Sequence, residues 1–499
     1  MKHLSKWLCL ALAVMMCLSI VACGKGNSDT NTSSTTTAGN SDATSAVTET
    51  TTESPYDANG YLKSDLPELN YNGETIHVFY WNDVEHAEYE AETQTGDLIN
   101  DAIYQRNLNV SEILNVNLVF NSTKGNGNNI DNFVNAVGNS YKSGEKNIDL
   151  ISSYSRTTAM LAMNGYLTDL AGLDYLDWEK PWWPSSLLNV VSINNRVWFA
   201  SGDASTNTLH MMYGIYYNKD LISELKLDDP VQLVRDGTWT LEKLQSMIKD
   251  TYQDLNNDGK KSYGDFFGFT TLNYHLDAFY TGSGLKLAET DPEKLMVISP
   301  SFFSEKAITL CSNLGEWLSS PDVWCDTTNY SNAFAAGQAI FCQNRARMAY
   351  QSQMTNVDFS YGVLPSPKYD LDQEDYITVM GNPFSLYGIY GNTADANRVA
   401  AVLECWASEA YRNTTPAVFE LTLKLKYSET SNEADMYDII RSTVFFDLGR
   451  LFNTQLSNIT DIFFNAAVSN KSWASVAKAQ KKPLEKTMEI LANKFVALG

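Results

Sequence analysis

The chain has 499 residues, of which 44% are hydrophobic, 12% aromatic and 19% charged. This length and composition exclude a disordered tail and a disulfide-held mini-protein, and they leave room for two or three domains. The formal net charge is −23, so the chain is repelled by phosphate backbones and we expect no nucleic-acid partner.

The first 22 residues have the pattern of a signal peptide. Lys2 and Lys6 precede an apolar run over residues 8–22, which is too short for a comfortable membrane span. The run ends in Val21-Ala22-Cys23, which resembles a bacterial lipobox. That resemblance implies a lipid (diacylglycerol with palmitate) on Cys23 and a position on the extracellular face of the cytoplasmic membrane. The alternative is an ordinary secretory signal in which Cys23 is incidental.

Residues 24–60 are predicted to be a flexible tether. More than half of residues 27–54 are Ser or Thr, and almost none is apolar. Such a segment cannot offset the entropy lost on ordering.

Strands and helices alternate through the rest of the chain. In chain order, the hydrophobic spacing predicts a strand at 74–81, a helix at 97–114, strands at 116–120 and 148–152, a helix at 331–336, strands at 338–342 and 386–390, and a helix at 394–411. This alternation is typical of an α/β protein whose mixed sheets have helices on both faces.

Several motifs resemble one family. Residues 214–221 (GIYYNKDL) and 237–244 (GTWTLEKL) resemble the YYNKDL and WTWDEL signature of family 1 extracellular solute-binding proteins, the lipoprotein receptors of sugar ABC importers. Further landmarks follow in the family's order over residues 165–170, 333–339, 361–368, 402–407 and 433–448. The last two also resemble the clostridial branch of the family.

The resemblance implies a two-lobed periplasmic-binding-protein-like fold of type II, with about three strands crossing between the lobes and a ligand cleft between them. The chain would cross near 203–210 and again near 376–383. Lobe 1 would comprise residues 61–205 and about 383–440, and lobe 2 about 206–382 and 441–499.

Candidate ligand-binding residues of the first lobe follow its strands, because open α/β sheets bind ligands at the carboxyl ends of their strands. Trp81 could stack on a sugar and Asn82 could bind its hydroxyls, or Trp81 could simply cover the sheet edge. Ser153 and Tyr154 follow the next strand. In relatives an acid near Asp203 meets ligand hydroxyls, and the alternative is a turn aspartate.

Candidates in the second lobe rest on the family resemblance. Tyr274 and His275 correspond to a segment that supplies an aromatic platform, and Asn344 and Arg345 follow a strand that often faces the cleft. Asn382, at the second crossing, is expected to bind ligand or to belong to the hinge.

Residues 254–265 match the template of a calcium-binding loop at positions 1, 3, 5, 6 and 12. The predicted metal ligands are Asp254, Asn256, Asp258, the carbonyl of Lys260, and Asp265. Asp265 replaces the usual Glu and Lys261 occupies a normally apolar place, so the affinity should lie at the weak end, with Kd ~10⁻⁴ to 10⁻³ M. The alternative is a plain Asn/Asp/Gly turn.

Cys311, Cys325, Cys342 and Cys405 remain outside the signal segment and Cys23. Cys311 with Cys325 is the closest pair in sequence, and buried free thiols are the alternative to a disulfide.

The sequence therefore predicts a monomeric, lipid-anchored, non-enzymatic solute-binding protein that captures a carbohydrate, an oligosaccharide in particular, and delivers it to an ABC permease. No cofactor is required beyond the possible structural calcium. The alternatives are a peptide or an anionic sugar as ligand, a secreted glycan-active enzyme, and a surface sensor or adhesin on the same fold.

Overall fold

The computed structural model describes residues 54–354, 356–426 and 430–499. The predicted signal peptide, Cys23 and most of the predicted tether lie outside these residues. The folded unit begins at Pro55, earlier than the sequence predicts, because Tyr56 pairs with Leu62 in a short antiparallel bridge.

Fifteen strands are described within these ranges. They are β1 (Glu74–Trp81), β2 (Val116–Thr123), β3 (Leu150–Tyr154), β4 (Ser192–Ile193), β5 (Arg196–Val197), β6 (Tyr213–Asn218), β7 (Phe267–Thr271), β8 (Ala288–Asp291), β9 (Leu295–Ile298), β10 (Val323–Cys325), β11 (Ala339–Arg345), β12 (Tyr361–Leu364), β13 (Thr378–Val379), β14 (Ser385–Ile389) and β15 (Val444–Phe445).

The same ranges contain sixteen α-helices. They are α1 (Leu98–Leu114), α2 (Ile130–Ser143), α3 (Ser155–Met163), α4 (Ser185–Val191), α5 (Asn207–His210), α6 (Lys219–Glu224), α7 (Pro230–Arg235), α8 (Leu241–Met247), α9 (Asp277–Gly282), α10 (Glu305–Ser319), α11 (Tyr330–Ala335), α12 (Ala396–Arg412), α13 (Ser431–Ser442), α14 (Leu448–Leu451), α15 (Ile459–Val468) and α16 (Trp473–Ala497). A π-helix covers Pro416–Lys426, and short 3₁₀ turns cover Asn273–Leu276, Pro300–Phe303, Ala346–Tyr350 and Ser352–Met354.

The first lobe is built on a four-stranded sheet in the order β14-β3-β1-β2. β1 runs parallel to both β2 and β3, and β14 runs antiparallel to β3. α1 begins at Asp97, whose carboxylate accepts the backbone N–H groups of Ile99 and Asn100, and α12 packs against α1. Because β14 and α12 follow the whole second sheet in sequence, this lobe is formed by two separate chain segments.

The second lobe is built on a five-stranded sheet in the order β10-β7-β11-β6-β12. β7 lies between parallel neighbours, and β6 runs antiparallel to both β11 and β12. Every residue of β6 is buried, and Asn218 at its end caps α6 by accepting the N–H of Leu221. The Tyr-Tyr-Asn motif is thus a central strand followed by a helix cap.

Three segments cross between the lobes, and the first two pair with each other. Met212 on the first crossing forms an antiparallel bridge with Met380 on the second. β13 on the second crossing runs parallel to β15, which follows α13. The predicted hinge of crossing strands and the two-lobed α/β architecture are therefore present in the structure.

Helix α13 belongs with the second lobe, whereas the predicted boundary assigns residues up to about 440 to the first. It buries Met436, Tyr437 and Ile440, and it packs on β12 and α7. The third crossing therefore lies before residue 431, between α12 and α13.

The C-terminal helix α16 spans both lobes. At its start, Trp473 donates its indole N–H to the carbonyl of Phe302 in the second lobe (3.0 Å). At its end, Phe495 packs against Trp198, which lies next to the β4–β5 hairpin of the first lobe, with ring centroids 6.3 Å apart. Motion of one lobe relative to the other must therefore be accommodated by this helix as well as by the crossing segments.

The Trp182-Trp183 pair is part of the first-lobe core. Both indole N–H groups donate to the carboxylate of Glu404, at 2.9 and 2.8 Å. Burial raises the pKa of Glu404 to about 7, against the opposing effect of these two hydrogen bonds. The pair is therefore used in packing.

The four cysteines of the described chain are free thiols, in keeping with the second of the two alternatives above. Burial raises the pKa of Cys311 and of Cys325 to about 11. Across residues 54–354, 356–426 and 430–499, no helix combines the length and the apolar character needed to cross a bilayer.

Candidate functional site

Side chains of both lobes converge on Arg345, at the carboxyl end of β11. We define the interlobe site as Tyr154 and Arg156 of the first lobe together with Tyr213, Tyr274 and Arg345 of the second. The guanidinium carbon of Arg345 lies 5.5 Å from the ring centre of Tyr213 and 5.7 Å from that of Tyr274. Tyr154 ends β3 and Tyr274 follows β7, so three strands present their carboxyl ends here, as the sequence predicts.

Contacts at the second crossing place the first-lobe members of the site near Arg345. Ser155, between Tyr154 and Arg156, donates to the carbonyl of Asn382 (2.7 Å), and Arg345 packs so closely on the neighbouring Gly381 that a Cβ there would clash with Nε. Burial raises the pKa of Tyr154, and the positive charges of Arg156, Arg345 and Arg450 oppose that rise. Guanidinium groups from both lobes therefore act on one phenol of the first lobe.

Three tyrosine rings of the second lobe surround His275 and form an aromatic wall, which we define as Tyr213, Tyr274, Tyr330 and His275. The ring of His275 lies 5.0 Å from that of Tyr213, 5.1 Å from that of Tyr274 and 5.3 Å from that of Tyr330, all edge to face. Burial lowers the pKa of His275 well below its usual value, and Nδ1 lies 3.0 Å from the carbonyl oxygen of Gln343. Since a carbonyl only accepts, the neutral ring carries its proton on Nδ1. His275 thus supports the wall, and Tyr274, which is 43% exposed, forms its accessible face.

A second group of contacts joins the lobes beside the site. Glu85, in the loop after β1, forms an ion pair with Arg347 and lies 3.8 Å from Nη1 of Arg345. His86 stacks on His210 with ring centres 4.1 Å apart. Burial lowers the pKa of His86 to about 4, so this imidazole is neutral at neutral pH.

Of the remaining first-lobe candidates, Trp81 and Ser153 are buried in the lobe and only Asn82 is exposed. Trp81 is fully buried, and its indole N–H donates to Ser385 Oγ (3.0 Å). Ser153 is also buried, with its hydroxyl 2.6 Å from that of Thr158. Asn82 is exposed and donates to Ser122 Oγ at 3.2 Å. Trp81 therefore covers the end of the sheet, the second of the two roles expected for it.

Asp203 lies at the hinge, away from the other candidates. Its Oδ1 accepts hydrogen bonds from Thr415 (2.5 Å) and from Arg441 (2.9 Å). It lines a small cavity of about 120 Å³ between the crossing segments, together with Met212 and Met380. Burial raises the pKa of Asp203, and the charge of Arg441 opposes that rise. In this structure the carboxylate links the first crossing to α13.

Two of the three asparagine candidates, Asn344 and Asn382, lie beside the interlobe site. Asn344 is buried, its Oδ1 accepts the N–H of Arg345 (2.8 Å), and its amide nitrogen has no hydrogen-bond partner. Asn382 is half-buried on the second crossing, and its carbonyl accepts the hydroxyl of Ser155 (2.7 Å). Asn382 therefore contacts the first lobe at the hinge.

Several residues of this region carry no local signal in the sequence. Tyr213 belongs to an apolar strand, and Glu85 lies in an ordinary loop. Asp277 and Arg450 form a buried ion pair at 2.5 Å although they are 173 positions apart. Only the fold brings such partners together. Arg156 is different, because it lies two residues after the end of β3, where ligand-binding residues of an α/β sheet are expected.

The predicted calcium loop has a compatible backbone. Asp254 Oδ2 accepts the N–H of Gly259 (2.9 Å), and Asp258 Oδ1 accepts the N–H of Lys260 (2.8 Å). Lys261 points away, donating to the carbonyls of Ser320 and Val323. Within the described residues, however, no three His, Cys, Asp or Glu side chains converge as a metal site.

Comparison with known proteins identifies the fold. No protein-family model matches the chain, and no curated protein shows significant sequence similarity to it. Among solved structures, the GacH receptor of Streptomyces glaucescens, crystallised with acarbose, is 14% identical with a TM-score of 0.54; the match covers 84% of this chain and 99% of that one.

Two further structures match over similar lengths. The maltose-binding protein MalE of Listeria monocytogenes, in complex with maltose, is 15% identical with a TM-score of 0.55, covering 83% of this chain and 97% of that one. The cyclic α-maltosyl-1,6-maltose binding protein of Arthrobacter globiformis is 14% identical with a TM-score of 0.54, covering 84% and 100%. The chain therefore has the two-lobed α/β fold of these sugar-binding proteins, with its candidate site at the junction of the lobes.

Proposed function

We propose that the protein is a solute-binding protein that captures an oligosaccharide between its lobes and delivers it to an ABC permease. In this proposal, a lipid on Cys23 holds it at the outer face of the cytoplasmic membrane. The observation that carries the proposal is the interlobe site, to which both lobes contribute side chains at or just after the ends of their strands: Tyr154 and Arg156 from the first lobe, and Tyr274 and Arg345 from the second. Aromatic faces with a few polar donors are the usual lining of a small-molecule site.

The hinge supports capture by closure. A ligand that contacts both lobes favours the closed form, and a permease can distinguish that form from the open one. Binding without turnover is part of the proposal, since the neighbours of this fold named above are binding proteins and receptors.

Calorimetric titration of the secreted chain from residue 24 against neutral and acidic oligosaccharides, peptides and amino acids tests the proposal. We expect saccharide binding accompanied by a smaller radius of gyration in solution scattering. Binding of peptides alone would refute the carbohydrate assignment, and release of shorter glycans in the same samples would show an enzyme.

Replacing Tyr274 with Ala should weaken saccharide binding roughly tenfold, because a half-exposed ring of this kind contributes about 1–2 kcal/mol as a contact face. Tyr56→Ala is the matched control, since Tyr56 is also exposed but lies in the N-terminal segment. The two variants are compared by calorimetry with the tightest saccharide found. Equal affinity in both would remove Tyr274 from the binding site.

We also propose that residues 254–265 bind Ca²⁺ weakly. Asp265 supports this, because it is fully buried and its Oδ1 has no hydrogen-bond partner among the described residues, while Oδ2 accepts the N–H of Ser262 (2.9 Å). Asp254, Asn256, Asp258 and the carbonyl of Lys260 would supply the other oxygens.

Addition of 10 mM Ca²⁺, roughly ten to a hundred times the expected Kd, should raise the free energy of unfolding by about 1–3 kcal/mol. Urea titration with and without Ca²⁺ measures this, and the Asp258→Asn variant should lose most of the gain. An identical gain with Mg²⁺, or in that variant, would contradict a calcium loop.

A further inference from the structure

The interlobe site has more positive than negative charge. Four arginines lie in or beside it, namely Arg156, Arg345, Arg347 and Arg450, whereas the carboxylates paired with them are those of Glu85 and Asp277. Arg347 is paired with Glu85 and Arg450 with Asp277. Glu85 also lies 3.8 Å from Arg345, so Arg345 shares this carboxylate with Arg347 and two positive charges remain in excess. Arg156 and Arg345 come from opposite lobes.

Arg345 is fixed in place without a strong anionic partner. Its side chain is only 9% exposed, its Nε donates to Tyr213 Oη (3.3 Å), and its Nη1 lies 3.6 Å from Met211 Sδ. Glu85, at 3.8 Å, is beyond hydrogen-bonding distance and is already paired with Arg347. A buried guanidinium with weak acceptors favours a ligand oxyanion at this point.

Arg156 provides the second cation. Within residues 54–354, 356–426 and 430–499 it forms no ion pair, and its Nε is buried without a hydrogen-bond partner. It lies in the first turn of α3, a helix of nine residues, where the helix dipole also favours an anion. A buried N–H donor left unpaired costs free energy, and a ligand oxygen would recover it.

We propose that the interlobe site holds the carboxylate of an acidic oligosaccharide between Arg156 and Arg345. This inference rests on the proposed function and specifies its ligand class. Each guanidinium can donate to one oxygen of a carboxylate, so closure of the lobes brings the two cations onto one group. Tyr274 offers its ring to the sugar.

The test compares matched saccharides that differ only in charge. Oligogalacturonate, oligoglucuronate and oligoalginate of three residues are each titrated beside the carboxyl-reduced form of the same trisaccharide, with a sulfated trisaccharide as a further arm. For at least one pair, the acidic member should bind 10- to 100-fold more tightly than the reduced member. The affinity of the native protein for the acidic member should also fall when NaCl is raised from 20 to 300 mM, because salt screens the attraction between charges.

Arg156→Gln should reduce the affinity for the acidic trisaccharide 10- to 100-fold, about tenfold more than it reduces the affinity for the reduced form. Arg235→Gln is the control, because Arg235 is an exposed arginine in an ion pair with Asp435 and its loss changes the net charge equally. Thermal melting establishes that each variant is folded. Equal binding of the acidic and reduced forms would overturn this inference and leave the proposed function standing. Preference for the sulfated sugar would overturn the assignment of a carboxylate in favour of a sulfate. Binding of no saccharide would overturn both this inference and the proposed function.

Discussion

Arg450→Met is expected to lower the free energy of unfolding by about 3–5 kcal/mol, because it leaves the Asp277 carboxylate buried without its partner. In the native protein, Arg450 Nη1 lies 2.5 Å from Asp277 Oδ2, and Nη2 donates to the carbonyl of Met380 (3.0 Å). Both side chains are at most 10% exposed. The pair therefore joins a helix of the second lobe to the second crossing.

The pH dependence of this variant follows from Asp277. Burial raises the pKa of Asp277, and Arg450 opposes the rise, so removal of Arg450 should raise it further. An acid whose folded-state pKa exceeds its unfolded value binds a proton more readily when folded. Stability of the variant should therefore increase, relative to the native protein, as the pH falls from 7 towards 4.

Urea denaturation of Arg450→Met, Asp277→Asn and the double variant at pH 7 and pH 5 measures both effects. The double variant should recover much of the loss, since it leaves no buried charge unpaired. A loss below 1 kcal/mol, or a double variant no more stable than Arg450→Met, would show that the pair is not essential.

A second ion pair, in which Arg441 is partly exposed, also lies at a crossing. Asp203 connects the first crossing to Arg441 on α13, and Arg450 connects the second crossing to α9. Two segments in apolar contact can shift relative to each other, whereas an ion pair requires one particular residue of each segment to stay within contact distance. We infer that these pairs limit the lobes to rotation about the crossing segments.

The sequence predicts the regular elements because their signals are local. The strand predicted at 74–81 is β1, and the helix predicted at 394–411 is α12, which starts at 396 because Asp395 caps it by accepting the N–H of Arg398. The strand predicted at 148–152 runs from 150 to 154, because pairing with β14 continues to Tyr154. Boundaries therefore depend on caps and partners that a hydrophobic pattern does not contain.

The site is harder to predict, because strand-end position does not determine the direction of a side chain. Trp81 and Tyr154 both end strands and both are buried, with ring centroids 5.6 Å apart, and Trp81 is held in the core by Ser385, which is distant in sequence. Arg345 was selected for its place after a strand, whereas its neighbour Tyr213 lies across the sheet on β6. The partners of the site residues thus come from tertiary pairing.

Glu88→Leu should lower the free energy of unfolding by about 3–5 kcal/mol, because this fully buried carboxylate collects hydrogen bonds at the first crossing. Oε1 accepts the hydroxyl of Tyr387 (2.8 Å), and Oε2 accepts Asn207 Nδ2 (2.5 Å) and Ser205 Oγ (3.1 Å). Leu would leave these donors unpaired and would remove the negative charge that faces buried Arg106.

Glu88→Gln is the matched control for this prediction. It keeps the shape and one acceptor oxygen, so we expect a loss of only about 1–2 kcal/mol. Burial raises the pKa of Glu88, so the native carboxylate is itself costly to ionise and a neutral isostere is tolerated. Urea denaturation at pH 7 gives both values. Equal losses in the two variants would assign the effect to the lost charge, and negligible losses in both would mean that other contacts hold the first crossing.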